Sequence, residues 1–399
     1  MTKPDASFHT QITTAAPDMG SGPLPVEPYI SAEFFERERE KVFRRAWLEV
    51  AREEELPNPG DYVVREIEVL RTSVLLVRGK DGVVRGFHNV CTHRGMAVAI
   101  CDKGNAQGFI CNFHGWTFDL DGRLKGVPGE NYFADFDRAE YGLRPVATDI
   151  WNGFIFVHWE PQPKVGLREF LGGMGTQLDD YPFQRFNHIA RYSARVKANW
   201  KTFIDAFHEA YHVMMVHRHT VPDACAGQEN PYGLLSSARI YGPHHSGSVW
   251  VNPAHTPTPS ETLAWKYGMS FAPGDMVDLP GLNPDKSPNW WFDINVLFPN
   301  FFIDVGPGWY FTYNFWPVSV DESTWEMNIY QLDAETAGQR FAQEHTKVLL
   351  RDILYEDLST LEFAQKAMAS GVLKHLPISE MEIAVRHQLH TVQEWVNRP

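Results

Sequence analysis

Cys91-Thr92-His93 and, after residues 94–110, Cys111-Asn112-Phe113-His114 decide how this chain is read. Each stretch offers one thiolate and one imidazole. A ferredoxin-type cluster takes four cysteines, and a zinc ribbon usually takes two close cysteine pairs. In a mixed-ligand [2Fe–2S] centre, two cysteines hold one iron and two histidines hold the other, which raises the reduction potential. The split into Cys-x-His and Cys-x-x-His suits two loops converging on a cluster from opposite sides. A chain built this way passes single electrons.

A Cys2His2 zinc site uses the same donors in tetrahedral geometry and is the plainer alternative. The surroundings favour the cluster. Residues 83–90 read as a strand leading into the first pair, and Gly108-Phe109-Ile110 leads into the second. Gly95 and Gly115 follow the two histidines, where backbone amides can approach the sulfides closely. Trp116 would shield one side of the cluster, and burial and hydrogen bonding of this kind tune its potential.

Taken together, Cys91, His93, Arg94, Gly95, Cys111, His114, Gly115 and Trp116 resemble the Rieske motif of the ring-hydroxylating oxygenase large subunits. A Rieske domain alone would equally suit a small electron-transfer ferredoxin or a cytochrome-complex subunit. A second iron site separates these possibilities. Residues 199–217 have helical character and few breakers, with Glu209 and His212 three apart and so sharing a helix face. His217 lies five beyond His212 and converges with it if the helix bends or ends there. Two histidines and one carboxylate make the facial triad of non-haem Fe(II) oxygenases. Residues 345–362 read as a long helix with several carboxylates, most of them a solvated face. The family resemblance picks Asp357 as the third ligand, leaves Asp352 as a rival, and makes Glu356 and Glu362 structural.

The resemblance also assigns roles around the triad. Glu209 occupies the position of a family aspartate that links the two metal centres, in a ring of subunits where electrons cross from one chain to the next. His114 of one chain would then meet Glu209 of its neighbour, and Glu209 would also hydrogen-bond His212. Family members that attack quaternary amines use glutamate here as well. Asp205, one turn earlier, replaces an asparagine frequent in aromatic dioxygenases. It is a pocket wall, a modulator of proton affinity, or first of all a carboxylate supporting the ligands from behind.

Length and charge agree with this picture. A chain of 399 residues can form two domains with sizeable cores. A net charge of −14 argues against nucleic-acid binding, and no basic cluster points to a membrane surface. There is no apolar run of spanning length and no signal-peptide pattern, so a cytoplasmic enzyme is expected. Cys101 and Cys225 remain as reduced thiols in such a compartment.

Along the chain, residues 1–25 read as a loose arm rich in Thr, Ala, Pro and Gly. Ser31 caps a helix running from Ala32 towards Phe43 and Trp47. Short strands follow at 62–64 and 74–77, with a turn at 79–82. Pro161-Gln162-Pro163 marks a boundary. Apolar strands at 290–297, 310–316 and 325–330 belong to the second domain, the last alternating as a half-buried strand does.

The expected fold is α+β: an arm and helix at 1–46, an all-β Rieske domain at 47–160, and a helix-on-antiparallel-sheet (helix-grip) domain at 161–399. By resemblance, the chain is the terminal oxygenase of a multicomponent system. It carries a [2Fe–2S] Rieske cluster and a mononuclear Fe(II), uses O2, and assembles as a homotrimer. No Gly-rich nucleotide-binding turn is present, so electrons from NAD(P)H must arrive through a separate reductase or ferredoxin. An acidic chain needs a local basic patch including Arg94 for that encounter. The expected reaction is hydroxylation of an aromatic or other apolar compound, with N- or O-dealkylation as its form next to a heteroatom. A cis-dihydroxylating dioxygenase is the second reading, and a non-catalytic Rieske electron carrier the third.

Overall fold

The computed structural model describes residues 8–221, 223–268 and 279–399. The chain divides into two compact units, Phe43–Phe170 and Met1–Val42 with Leu171–Pro399.

The Phe43–Phe170 unit is β structure with short 3-10 turns, and the helix Leu167–Leu178 begins at its end. Its main sheet runs in the order Leu48–Arg52, Phe154–His158, Pro145–Trp151, Val84–His88, Thr72–Arg78, Asp61–Ile67, Lys103–Asn105. The expected turn at 79–82 joins Thr72–Arg78 to Val84–His88, closed by the Gly79 amide donating to the Val83 carbonyl at 2.9 Å. Gly82 sits there at φ 80°, a conformation that glycine adopts without penalty. A small sheet of Phe109–Ile110, Thr117–Phe118 and Leu124–Gly126 carries the second cysteine loop. Leu75, Val77, Phe87, Phe109, Trp116 and Phe118 form a core that also takes in Cys91 and Cys111.

The larger unit is built on a sheet of eight strands among the described residues, in the order Gln11–Ile12, Ser237–Tyr241, His244–Trp250, Trp290–Leu297, Phe301–Gly306, Trp309–Ser319, Glu322–Gln331, His188–Val196. All neighbours pair antiparallel except Gln11–Ile12, which runs parallel to Ser237–Ala238. Aromatic and β-branched side chains fill the central strands, as a pleated and largely buried surface favours. The helices Trp200–Phe207, Ala337–Ala369 and Ile383–Asn397 complete the α+β arrangement. Thr336 opens the longest with a reciprocal capping box, accepting from Gln339 N while the Gln339 side chain accepts from Thr336 N.

Two local expectations need correction. The described part of the arm is stitched rather than loose, while residues 1–7 lie outside the described residues. Thr14 Oγ1 accepts from Ile240 N at 2.6 Å and donates to Ile240 O at 3.0 Å, and Leu24–Pro25 pairs with His375–Leu376. Ser31 does cap its helix by accepting from Phe34 N, but that helix ends at Glu38 and widens into a π turn at Arg39–Phe43. Glu38 is fully buried and needs partners there: it binds Lys201 Nζ at 2.6 Å and Trp200 Nε1 at 3.1 Å. Among the described residues, no helix is long and apolar enough to cross a membrane.

Candidate metal centres

The two cysteine loops are built alike. In the first, Cys91 N donates to Met96 O and Gly95 N to Cys91 O; in the second, Cys111 N donates to Trp116 O and Gly115 N to Cys111 O. Gly95 and Gly115 hold φ of 78° and 73°, so the turns ask for glycine on backbone grounds. Their amides are committed to carbonyls and do not approach the sulfur. The backbone amides that favour the Cys91 thiolate are those of His93 and Arg94, although burial as the larger effect raises its pKa.

Cys91 and Cys111 are buried and free, and the His93 and His114 rings lie 4.6 Å apart in an edge-to-face arrangement. Nδ1 of each histidine is buried with no hydrogen-bond partner. Trp116 stacks on His93 at 4.8 Å with an interplanar angle of 6°. Among the described residues, the one set of three His, Cys, Asp or Glu donors lying within 4.8 Å of one another is elsewhere in the chain. Two buried thiols and two buried, unpartnered imidazole nitrogens are the donor set that a mixed-ligand two-iron cluster takes.

The compact set is His212, His217 and Asp357. Nε2 of His212 lies 3.2 Å from Nε2 of His217, and Asp357 Oδ1 lies 3.4 and 3.0 Å from those two nitrogens. Three donors facing one point, with polar atoms pressed this close, fit one mononuclear ion with positions left open. Each histidine is also backed by a carboxylate on Nδ1: Glu209 Oε1 at 2.6 Å for His212 and Glu356 Oε2 at 2.9 Å for His217. A carboxylate there fixes the tautomer that leaves Nε2 free for a metal. Burial pushes His212 down, but Glu209 and Asp357 outweigh it and lift its pKa to about 10. Burial acts to raise Asp357 and is outweighed by its bonds to the two histidines, which lower it.

Residues 199–217 do not form one helix. Asn199 caps a helix at Trp200–Phe207, the chain then leaves helical geometry, and a single turn returns at Val213–Val216. His212 and His217 are the two caps of that turn. On a continuous helix, residues five apart point roughly 140° away from each other, so the break is what lets them converge. Glu209 makes the break: its carboxylate accepts the backbone amides of Tyr211 and His212 in addition to His212 Nδ1. Glu209 and His212 thus meet through a side-chain cap rather than a shared helix face.

Glu356 was expected to be structural, and its contacts differ from that. Besides His217 it accepts from Thr220 Oγ1 at 2.5 Å. Glu362 accepts from Lys197 N, and Asp352 pairs with Arg351 at the surface, so neither meets the histidines. Asp205 binds the Tyr29 hydroxyl through Oδ2 at 2.6 Å, while its Oδ1 is buried without a partner. Burial above all raises Asp205 to about 7. It is not among the residues lining the cavity described next.

A cavity of about 100 Å³ opens on the His212, His217 and Asp357 cluster, walled by Phe207, Trp291, Phe292, Phe311 and Tyr313 among others. Asp304 and Glu209 also line it, and its described lining contains no lysine or arginine. Cys225 lines it too, and burial pushes this thiol up to about 12, which makes it inert. A larger cleft of about 620 Å³ on the Phe43–Phe170 unit holds none of the cysteine or histidine donors. Sequence reasoning did not single out Asp304, or the buried histidines 208, 245 and 387.

The family model described as Ring hydroxylating alpha subunit (catalytic domain) matches residues 183–398, and that of the Rieske [2Fe-2S] domain matches residues 46–137. The chain is 37% identical over 197 residues to the carnitine monooxygenase oxygenase subunit of Escherichia coli (strain K12), covering 49% of this chain and 52% of that one. It is 33% identical over 189 residues to the glycine betaine monooxygenase oxygenase subunit of Pseudomonas aeruginosa (strain UCBPP-PA14), covering 47% and 43%. These matches span about half the length of those relatives. Among solved structures, a quaternary ammonium Rieske monooxygenase superposes with a TM-score of 0.75 at 22% identity, covering 96% of this chain and 99% of that one. Naphthalene 1,2-dioxygenase from Rhodococcus sp. superposes with a TM-score of 0.74 at 23% identity, covering 94% and 95%. At these identities the superpositions speak for the fold.

Proposed function

Because the chain belongs to the ring-hydroxylating oxygenase alpha-subunit family, we propose that it is the terminal oxygenase of a multicomponent system acting on a small organic cation. The observation that carries this reading is the His212, His217 and Asp357 cluster opening into an aromatic cavity whose charged lining is acidic apart from the two histidines. Aromatic faces attract a cationic nitrogen, and Asp304 is a lining carboxylate with neither a ligand role nor a histidine to support, which an arene would not need. The named relatives act on carnitine and glycine betaine, which supports a monooxygenase that removes a group from nitrogen. That narrows the wider expectation of an aromatic or apolar substrate.

In this reading Cys91, His93, Cys111 and His114 hold the Rieske cluster, and His212, His217 and Asp357 hold Fe(II). The bound metals would supply single electrons and the activation of O2. The protein's own part is positional. Glu209 and Glu356 keep Nδ1 of the two histidines protonated and Nε2 bare. The aromatic walls hold substrate and exclude water from the reacting carbon. Residues 47–160 carry electrons, and 161–399 with the 1–46 segment carry the chemistry. We further propose a homotrimer in which His114 of one chain delivers electrons to Glu209 of the next. Electrons enter from NAD(P)H by way of a reductase or ferredoxin docking near Arg94, whose guanidinium lies over Phe113.

Single turnover of the chemically reduced, iron-replete protein under 18O2 tests the reading. A panel of quaternary ammonium compounds and arenes is expected to give an amine short of one substituent, together with an aldehyde, from the former. A cis-diol carrying two labelled atoms from an arene, with no amine consumed, would replace it with the dioxygenase reading. A cluster that takes up and passes electrons while the His212, His217 and Asp357 site binds no iron would return the non-catalytic electron carrier.

A further inference from the structure

Asp304 stands in the middle of the cavity's sheet wall. The strand register pairs it with Ile294 on one side and Phe311 on the other. Alternation therefore puts it on the same sheet face as Phe292 and Tyr313, which line the same cavity. The neighbouring row, Asp293 and Val305, faces the other way, where Asp293 binds Arg239 and Ser248. Asp304 is 3% exposed, and its Oδ1 has no hydrogen-bond partner.

An aspartate at this place is costly. A buried carboxylate without a counter-charge or full hydrogen bonding destabilises the fold, even when kept neutral. Burial above all holds its pKa well above the ordinary carboxylate value, opposed by the Asn295 backbone amide and reinforced by the charge of Asp293, so a cation beside it is what would favour the ionised form. An apolar residue would suit the Ile294–Phe311 row better if packing were the only demand. A ligand entering the cavity meets an oxygen that no protein group occupies. Tyr313 lines the cavity together with Asp304 and Asp357; burial above all, and then the charges of these two acids, raise the pKa of its phenol.

The chemistry of the surroundings selects the ligand's charge. The groups facing the cavity are Glu209, Asp357, His212, His217 and Tyr313, with aromatic rings from Phe207, Trp291, Phe292 and Phe311. An anion or a carbonyl dipole would meet acids on both sides and no described lysine or arginine. A cation would meet ring faces and an acid with a vacant oxygen. We propose that Asp304 is the counter-ion for the substrate's cationic nitrogen and sets the enzyme's preference for charged over neutral substrates. This rests on the organic-cation reading above. With the nitrogen at Asp304, the carbon to be attacked would lie toward Asp357 and the two histidines, which line the same cavity.

The probe pair is choline and 3,3-dimethylbutan-1-ol, its neutral isostere with carbon in place of nitrogen. Both are titrated calorimetrically into the oxidised holoenzyme, so that no turnover intervenes. Wild type is expected to bind choline at least tenfold more tightly than the isostere. Asp304→Asn keeps the shape of the side chain and is expected to bring the two affinities within about twofold, with the isostere's own affinity little changed and the melting temperature retained. Asp304→Glu restores most of the preference. A variant Asp304→Asn that folds and keeps the wild-type preference overturns the proposal while leaving the organic-cation reading in place. A wild type that binds the neutral isostere as well as choline overturns it without any variant. If single turnover in that case consumes arenes and no amine, the broader reading falls as well.

Discussion

Glu209 and Glu356 do the same thing to their histidines and differ in what else they hold. Each accepts from an Nδ1–H, leaving Nε2 as the bare nitrogen. Glu356 has the hydroxyl of Thr220 as its other partner, whereas Glu209 also takes the amides of Tyr211 and His212. Replacing the carboxylate behind a ligand histidine by its amide keeps an acceptor but removes the charge that makes the imidazole a stronger donor. For Glu356→Gln we expect a 10–100-fold loss of divalent metal affinity, the usual cost of disturbing such a partner, read with Co(II) as a spectroscopic probe. Unchanged affinity would reduce Glu356 to a partner of Thr220. Glu209→Gln is expected to slow electron arrival in rapid mixing of the cluster-reduced protein with substrate and O2, by more than it weakens substrate binding. If the electron-arrival rate matches wild type, Glu209 is off the electron route and remains only a cap and a histidine partner.

At the scale of elements, what the sequence made legible was whatever spacing alone enforces. Cys91 and His93 must share a loop, as must Cys111 and His114, and the twin hydrogen-bond patterns of those loops follow from two short, glycine-closed turns. The strands at Trp290–Leu297, Trp309–Ser319 and Glu322–Gln331 announced themselves by aromatic and alternating residues. The break between Trp200–Phe207 and Val213–Val216 did not, because no glycine or proline marks it and a glutamate side chain causes it. Phe301–Gly306 was not read as a strand, which hid Asp304. Glu356 looked like one more acid on a solvated face, since its meeting with His217 joins residues 139 positions apart. Propensity reads neighbours along the chain, and contacts of that span exist only after the sheet and the long helix have docked.

At the scale of the larger unit, a buried chain of histidines ties three elements together and gives the fold a pH dependence of definite sign. His208 follows the Trp200–Phe207 helix, His245 lies on His244–Trp250, and His387 lies on Ile383–Asn397. His387 Nε2 meets the Gly242 carbonyl at 3.0 Å and must donate, so its Nδ1 accepts from His245 Nδ1 at 3.0 Å. His245 Nε2 in turn accepts from His208 Nδ1 at 3.0 Å, which makes all three rings neutral. Burial is the first cause of their low proton affinity: His208 falls to about 3, His387 to about 4, and His245 well below its ordinary value, with neighbouring histidines adding to each. An unfolded histidine takes up a proton below about pH 6.5. The stability these rings contribute is therefore present above that pH and is lost on acidification toward pH 4, at roughly 1.4 kcal/mol per pH unit for each ring. Asp205, raised to about 7 in the fold, works in the opposite direction over the same range and offsets about one ring. Burial also raises Asp304, Asp293 and Glu38, which act in the same direction as Asp205, so the contribution of the rings is read as a difference between wild type and a variant lacking one of them. Glutamine at position 387 can still accept from His245 and donate to Gly242, but it cannot titrate. Between pH 6.5 and 5 the melting temperature of wild type is expected to fall relative to that of His387→Gln. Equal slopes would mean that His387 is already protonated in the folded chain, which would reverse the two ring-to-ring hydrogen bonds and leave only the donation to Gly242 as assigned.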